Sequence, residues 1–276
     1  MANGSGLAIA GIIIGIIVAT QVSDFESADL DLPDVNSTRD DNADSTRDDN
    51  ADSTRDEDDD DSNRREVPTR IDAGIPGVEA AGAVTSVQGD AKVVALTFSS
   101  GPHPANTPQI LDVLDRHGVP ATFCVIGEQA RDYPELVRRI SDEGHTLCSQ
   151  GLSQDPQLAG RDDAQIRAEI EGARAAIQAA VPGVAVPYFR APAGEFSARV
   201  NEIAEAYEHT PLGWSVDPRD WAQPGPAAIV DAVLDSARPG AIVVLHDGGG
   251  DRSDTVAALD VLITDLRTEG YQIVVP

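Results

Sequence analysis

From Val67 onward, short apolar runs alternate with longer amphipathic stretches. The runs at 92–98, 120–126, 144–149, 186–190, 210–216, 241–246 and 271–275 are rich in Val, Ile, Leu and Phe. Gly, Pro or polar residues bound them, which predicts buried strands. Between them, apolar positions recur at helical spacing near 107–117, 129–142, 162–180, 197–207, 226–237 and 253–269. Thr107-Pro108 reads as an N-cap and first helical residue, and His117-Gly118 as the end of the same helix. Repeated strand-helix alternation predicts an α/β fold: about seven mainly parallel strands, helices outside, curled into a distorted or incomplete (β/α) barrel.

The first quarter of the chain breaks this pattern. Residues 7–22 form one continuous apolar run. As a helix the run would span about 24 Å, short against a hydrocarbon core of about 30 Å. No Lys or Arg precedes it and no Ala-x-Ala site follows it, which favours an uncleaved N-terminal membrane anchor over a cleaved signal. Residues 23–66 carry 18 acidic and 5 basic side chains and contain the octapeptide Ser-Thr-Arg-Asp-Asp-Asn-Ala-Asp twice, at 37–44 and 45–52. Such a stretch has no apolar face to bury, so a solvated, disordered linker is expected. The predicted organisation is therefore 1–22 anchor or signal segment, 23–66 acidic linker, and 67–276 folded domain. The placement that follows is extracytoplasmic and membrane-anchored, or secreted if the first segment is removed.

The net charge of -27 repels phosphate backbones and argues against nucleic acid as a partner. The two cysteines, Cys124 and Cys148, lack the close spacing of a zinc site. Each lies in a predicted strand, so adjacent strands would bring them within disulfide reach outside the cell. The alternative is a pair of small buried hydrophobes.

Active sites of parallel α/β folds sit at the carboxyl ends of strands. Here those ends carry Ser99 and Ser100, then Gln150 and Gln154, then Arg190 ahead of Ala191-Pro192-Ala193-Gly194, then Asp217-Pro218-Arg219-Asp220-Trp221, and last Leu245-His246-Asp247. The plain reading of Arg190 is a structural ion pair with Asp217 or Asp220, and of Trp221 a core aromatic.

In order and wording these stretches resemble the five motifs of the polysaccharide deacetylase family, carbohydrate esterase family four, which removes acetyl groups from chitin, peptidoglycan or xylan. Thr97-Phe98-Ser99-Ser100-Gly101-Pro102 stands where the family has Thr-Phe-Asp-Asp-Gly-Pro. Gln150-Gly151-Leu152-Ser153-Gln154 stands where it has His-x-x-x-His, while the Arg-x-Pro-x-Gly, Asp-x-x-Asp-Trp and Leu-His motifs are intact at 190–194, 217–221 and 245–246. The resemblance covers about 92–276. It implies a divalent metal, usually zinc, at the positions of Ser100, Gln150 and Gln154, and a general base at Ser99 positioned by Arg190. It also implies a general acid at His246 tuned by Asp220, and a substrate wall of Pro192, Gly194, Trp221 and Leu245.

The replacements change the expected chemistry. A hydroxyl and two amides are neutral, weak donors, so no zinc or other cofactor is expected. Ser99 cannot take a proton as a carboxylate does, a loss of about 10²–10⁴-fold for the base alone. His145 is on the opposite face from Gln150, and His103, His117 and His209 read as turn, helix-end and loop residues. Two further readings stay open: a working N-deacetylase, and a metal-free serine hydrolase using Ser99 or Ser100, His246 and Asp220. The expected function is a deacetylase-like protein that binds N-acetylated wall glycan, such as peptidoglycan or a chitin-like oligosaccharide, with its catalysis impaired.

Overall fold

The computed structural model describes residues 82–89 and 91–276. The apolar run 7–22 and the acidic stretch 23–66 lie outside the described residues. Seven strands are present: β1 Val93–Gly101, β2 Thr122–Val125, β3 Thr146–Ser149, β4 Tyr188–Phe189, β5 Thr210–Pro211, β6 Ala241–His246 and β7 Gln272–Val274. The helices are α1 Thr107–His117, α2 Gly127–Asp132, α3 Pro134–Asp142, α4 Asp163–Ala180, α5 Ala198–Ala206, α6 Pro226–Ser236 and α7 Ser253–Thr268.

All strand pairs are parallel, in the order β5-β4-β3-β2-β1-β6. β7 pairs with Val93–Ala95 at the start of β1, and β2 with the later half. The sheet curls, and its two edges are bridged by short segments. Val84 pairs with Leu212 and Ser86 with Ala241, while Val216 pairs with Val243. The expected distorted barrel is thus a curled parallel sheet stitched by residues that carry no strand-like run of their own.

Because side chains alternate across a strand, each strand feeds two cores. Leu96, Phe98, Phe123, Val125, Leu147, Val243 and Leu245 face outward, against the apolar stripes of α1, α3, α4, α6 and α7. Ala95, Cys124, Cys148, Leu212 and Ile242 face inward and fill the barrel, with Val84, Val87, Tyr188 and Trp214 packed on them. Cys124 and Cys148 are register partners on β2 and β3 and form a disulfide inside the barrel.

Three local expectations are corrected. The helix expected over 129–142 is two helices, α2 and α3, with the break at Tyr133 and Pro134 at the start of the second; Pro lacks the N–H and clashes with the preceding turn. The strand expected over 210–216 keeps only two paired residues before its carbonyls turn to other partners. Thr107 does not cap α1 with its side chain. Its hydroxyl instead accepts the His103 N–H and donates to Asp247 Oδ2, at 2.7 and 2.6 Å.

Asp247 ties the ends of β1 and β6 together. Its backbone N–H reaches Ser99 O at 3.1 Å, and its carboxyl lies so close to Gly101 that a Cβ there would sit 2.0 Å from Oδ2. Only glycine permits that approach. A Cβ on Gly248 would likewise meet Ser100 O at 1.9 Å. The Asp247 carboxyl is fully buried and its Oδ1 has no hydrogen-bond partner. Burial pushes its pKa up to about 7.

Two stability predictions follow from this architecture. Opening the Cys124–Cys148 disulfide, which closes a loop of sequence separation 24, removes about 3 kcal/mol by loop entropy; chemical denaturation with and without reductant measures it, and an unchanged midpoint contradicts it. Asp247 has a folded pKa above its unfolded value, so its contribution is present below pH 3.8 and is lost as pH rises to about 7. Asp247→Asn therefore gains stability relative to the parent as pH rises through that window; melting curves from pH 4 to about 8 check the sign.

Candidate functional site

The polar strand ends meet at the carboxyl mouth of the barrel. A cavity of about 330 Å³ opens there, lined by Ser99, Ser100, Gln150, Gln154, Arg190, Ala191, Ala193, Gly194, Trp214, Asp217, Trp221, Val244 and His246. Eight of the eleven residues expected at the site from sequence are therefore brought to one wall. Asp220 is the ninth, reaching the cavity through His246.

Leu245 and Pro192 are placed elsewhere. Leu245 points outward into the helix-packed core, because only alternate residues of β6 face the barrel: Ile242, Val244 and His246 do. Pro192 is buried beside the positive-φ Gly151. The wall expected of Leu245 is supplied by Val244 and by Trp214.

At the end of β1 the register with β2 slips between Ser99 and Gly101. Ser100 occupies the bulge with φ of 69°, in the left-handed region that costs a non-glycine residue energy. Two amides hold it there. The Ser100 N–H donates to Gln150 Oε1 at 2.7 Å, and Gln154 Nε2 donates to Ser100 Oγ at 2.6 Å. Gln154 is itself left-handed, with φ of 59°. The neighbouring Ser153 is pinned by its N–H and hydroxyl to Glu169 of α4, at 2.9 and 2.7 Å. Among the described residues, no group of three or more His, Cys, Asp or Glu side chains is placed to hold a metal ion.

Arg190 follows β4 and is 1 % exposed. Its Nη1 donates to Ser99 Oγ at 3.0 Å, its Nε to Leu212 O at 3.2 Å and its Nη2 to Gly213 O at 3.2 Å. The ion pair with Asp217 or Asp220 that its setting suggested is not made; the guanidinium donates instead to the carbonyls after β5. Trp214 places its ring 5.5 Å from the guanidinium carbon. Burial draws the Arg190 pKa down to about 9.

On the other side, His246 is the register partner of Ser99 across β1 and β6. Its Nδ1 is 2.7 Å from Asp220 Oδ1, and its backbone N–H donates to Asp220 Oδ2 at 2.8 Å. The Thr255 hydroxyl also donates to Oδ2, at 2.8 Å. Asp220 is buried, so its charge holds the imidazole with Nδ1 inward and leaves Nε2 for a bound group. No hydrogen bond joins His246 to Ser99 or Ser100, and the Ser99 hydroxyl oxygen accepts the Arg190 N–H.

Asp217 accepts the Arg219 N–H at 2.7 Å, and burial raises its pKa. Trp221 is half exposed at the rim with the Arg219 guanidinium 4.9 Å from its ring. The other histidines serve structure. His145 accepts the Ala121 N–H, His209 bonds Val186 O, His117 pairs with Asp260, and His103 accepts the Ala105 N–H. Trp214 is the aromatic of the cavity to which sequence reasoning gave no role. The signal for Trp214 was its spacing of two from the inward Leu212.

Comparison with known proteins gives this geometry a setting. Residues 86–212 match the family model for polysaccharide deacetylase. A chitooligosaccharide deacetylase of Rhizobium leguminosarum bv. trifolii is 43 % identical over 195 residues, covering 67 % of this chain and 90 % of the relative. A peptidoglycan-N-acetylglucosamine deacetylase of Bacillus cereus is 36 % identical over 200 residues, covering 71 % and 92 %. Among solved structures, a Bacillus anthracis pseudoenzyme of carbohydrate esterase family four superposes with a TM-score of 0.65 at 28 % identity, over 69 % of this chain and 66 % of the other. A mutant of that pseudoenzyme with restored enzymatic activity superposes with the same TM-score. With the family-model match and relatives 43 % and 36 % identical over most of their length, the chain belongs to the polysaccharide deacetylase family.

Proposed function

We propose that the protein is a wall-associated glycan-binding member of this family that does not deacetylate by the zinc route. The observation that carries the reading is the chemistry of the Ser100, Gln150 and Gln154 cluster. Its donors are neutral, one amide oxygen already accepts a backbone N–H, and one amide nitrogen, with no lone pair to give, points at the hydroxyl. Zinc prefers imidazole, thiolate and carboxylate, so this set does not fit it. Ser99 holds the place of the base with a hydroxyl that receives the Arg190 N–H.

The names of the relatives, chitooligosaccharide and peptidoglycan deacetylases, support an N-acetylated glycan as the occupant. The cavity offers it a half-exposed Trp221 at the rim, Trp214 inside, and the His246 Nε2 as a hydrogen-bonding group. The apolar run 7–22, the acidic sequence 23–66 and a disulfide, which persists in oxidising compartments, support a domain held outside the cell on a membrane anchor. The intact His246–Asp220 pair favours a second reading, a working deacetylase, and one assay separates them.

In that assay the full chain is solubilised in detergent and acetate release from N-acetylglucosamine oligomers is followed with and without added zinc. The expected release equals the protein-free control; zinc-dependent turnover overturns the proposal. Binding of the same oligomers is expected to weaken about tenfold in Trp221→Ala, the loss of one stacking face; equal affinity removes Trp221 from the glycan site. Combining Ser99→Asp, Ser100→Asp, Gln150→His and Gln154→His is expected to create stoichiometric zinc binding. Failure of a folded variant to bind zinc shows that these four positions do not form the metal site.

A further inference from the structure

Arg190 carries a charge that meets the face of Trp214 but no carboxylate. The three N–H groups it uses go to neutral acceptors, a hydroxyl and two carbonyls. A guanidinium has five N–H donors, so two remain. No carboxylate of the described residues forms an ion pair with it, and desolvation is the influence that moves its pKa. At about 9 that pKa still leaves the group cationic at neutral pH. Buried charges are ordinarily paired, because an isolated one costs several kcal/mol.

The unanswered cation is not sealed in a core. Arg190, Ser99 and Trp214 line the same open cavity; Arg190 is 1 % exposed, so it belongs to the wall of that cavity. The remaining charged groups of the cavity sit apart from this end. Asp217 is bonded to the Arg219 N–H and is influenced by His246, Asp220 and Arg219. His246 is held by Asp220. Asp247 is buried behind β1 against Thr107. The cavity is therefore polarised, cationic at Arg190 and acidic toward Asp217.

We infer that the Arg190 end of the cavity is a binding site for a monocarboxylate, in which the anion takes the guanidinium N–H groups and the Ser99 hydroxyl. A planar carboxylate matches the guanidinium fork. One cation, with Asp217 in the same cavity, compensates one negative charge and leaves a dianion such as phosphate uncompensated. The carboxylate can arrive free, as acetate, or carried by a sugar acid within a glycan. The second source rests on the glycan-binding function proposed above; the first does not.

The test uses the two tryptophans of the chain, Trp214 and Trp221, which both line the cavity and so report on it by intrinsic fluorescence. The full chain in detergent, with EDTA present so that no carboxylate acts through a metal, is titrated with sodium acetate and sodium glucuronate. The range extends to about 100 mM at constant ionic strength, with sodium chloride as reference. A saturable change with at least one of the two carboxylates, beyond that of chloride, is expected. Ser99→Asp, which sets a tethered carboxylate beside Arg190, is expected to weaken the response about tenfold or more and to raise the melting temperature. Ser99→Ala, which removes one hydrogen bond to the anion and adds no charge, is expected to weaken the response less than Ser99→Asp does.

A response to acetate equal to that of glucuronate identifies a free-anion site; a stronger response to glucuronate identifies a sugar acid, and either supports the inference. No saturable response to either carboxylate overturns it. So does an undiminished response in Ser99→Asp with an unchanged circular dichroism spectrum. Neutral N-acetylglucosamine trimer is titrated in parallel: if it fails to bind while acetate binds, the glycan reading falls and the carboxylate site stands.

Discussion

The Arg190 guanidinium joins three strands at the mouth of the barrel. From its place after β4 it reaches Ser99 on β1 and the carbonyls of Leu212 and Gly213 beyond β5. Those two carbonyls belong to the segment that closes the curled sheet, since Val84 pairs with Leu212 and the Gly213 N–H donates to Val84 O. The arginine thus fixes the spacing of the strand ends that make the cavity. Its burial costs free energy that three hydrogen bonds to neutral groups offset only in part. The face of Trp214 adds a cation–π contact, yet the charge stays without a counter-ion. The remainder of the site is arranged around this imbalance.

Facing it across the cavity is a fully answered pair. Asp220 accepts from the His246 ring, the His246 N–H and the Thr255 hydroxyl, a buried carboxylate with its lone pairs used. Ser100, Gln150 and Gln154, with the Ser99 hydroxyl that accepts the Arg190 N–H, form a neutral network. Ser100, Gln150 and Gln154 satisfy one another by hydrogen bonds, and that closed network keeps two left-handed residues in place. Amides can pin a strained bulge as firmly as a metal would without offering a charge for chemistry. The scaffold superposes on these solved structures with a TM-score of 0.65.

Most of the barrel was readable because its strands are buried on both faces. Runs such as Val93 to Phe98 have no competing helical reading once bounded by Gly and Pro. The break at Pro134 was masked by an apolar stripe that continues across it. Residues 84–87, which bridge the sheet edges, form single bridges and leave no periodic trace. At the site, the polar strand ends were found by type and order. What failed was the face: Leu245 adjoins His246 in sequence, but a period of two turns it into the outer core. Trp214 and Asp247 owe their roles to neighbours distant in sequence, Arg190 and Thr107, which no local pattern reveals. Which acid Arg190 pairs with was likewise beyond linear reading, because it pairs with none.

The central claim is that a neutral hydrogen-bonded cluster occupies the place of a metal centre, beside a buried cation without a partner. The most direct measurement is calorimetric titration of zinc into the metal-free full chain at neutral pH. The account predicts no saturable heat, in parent protein and in Gln150→Ala and Gln154→Ala alike. Tight one-to-one binding, lost when Gln150 or Gln154 is replaced, would contradict it.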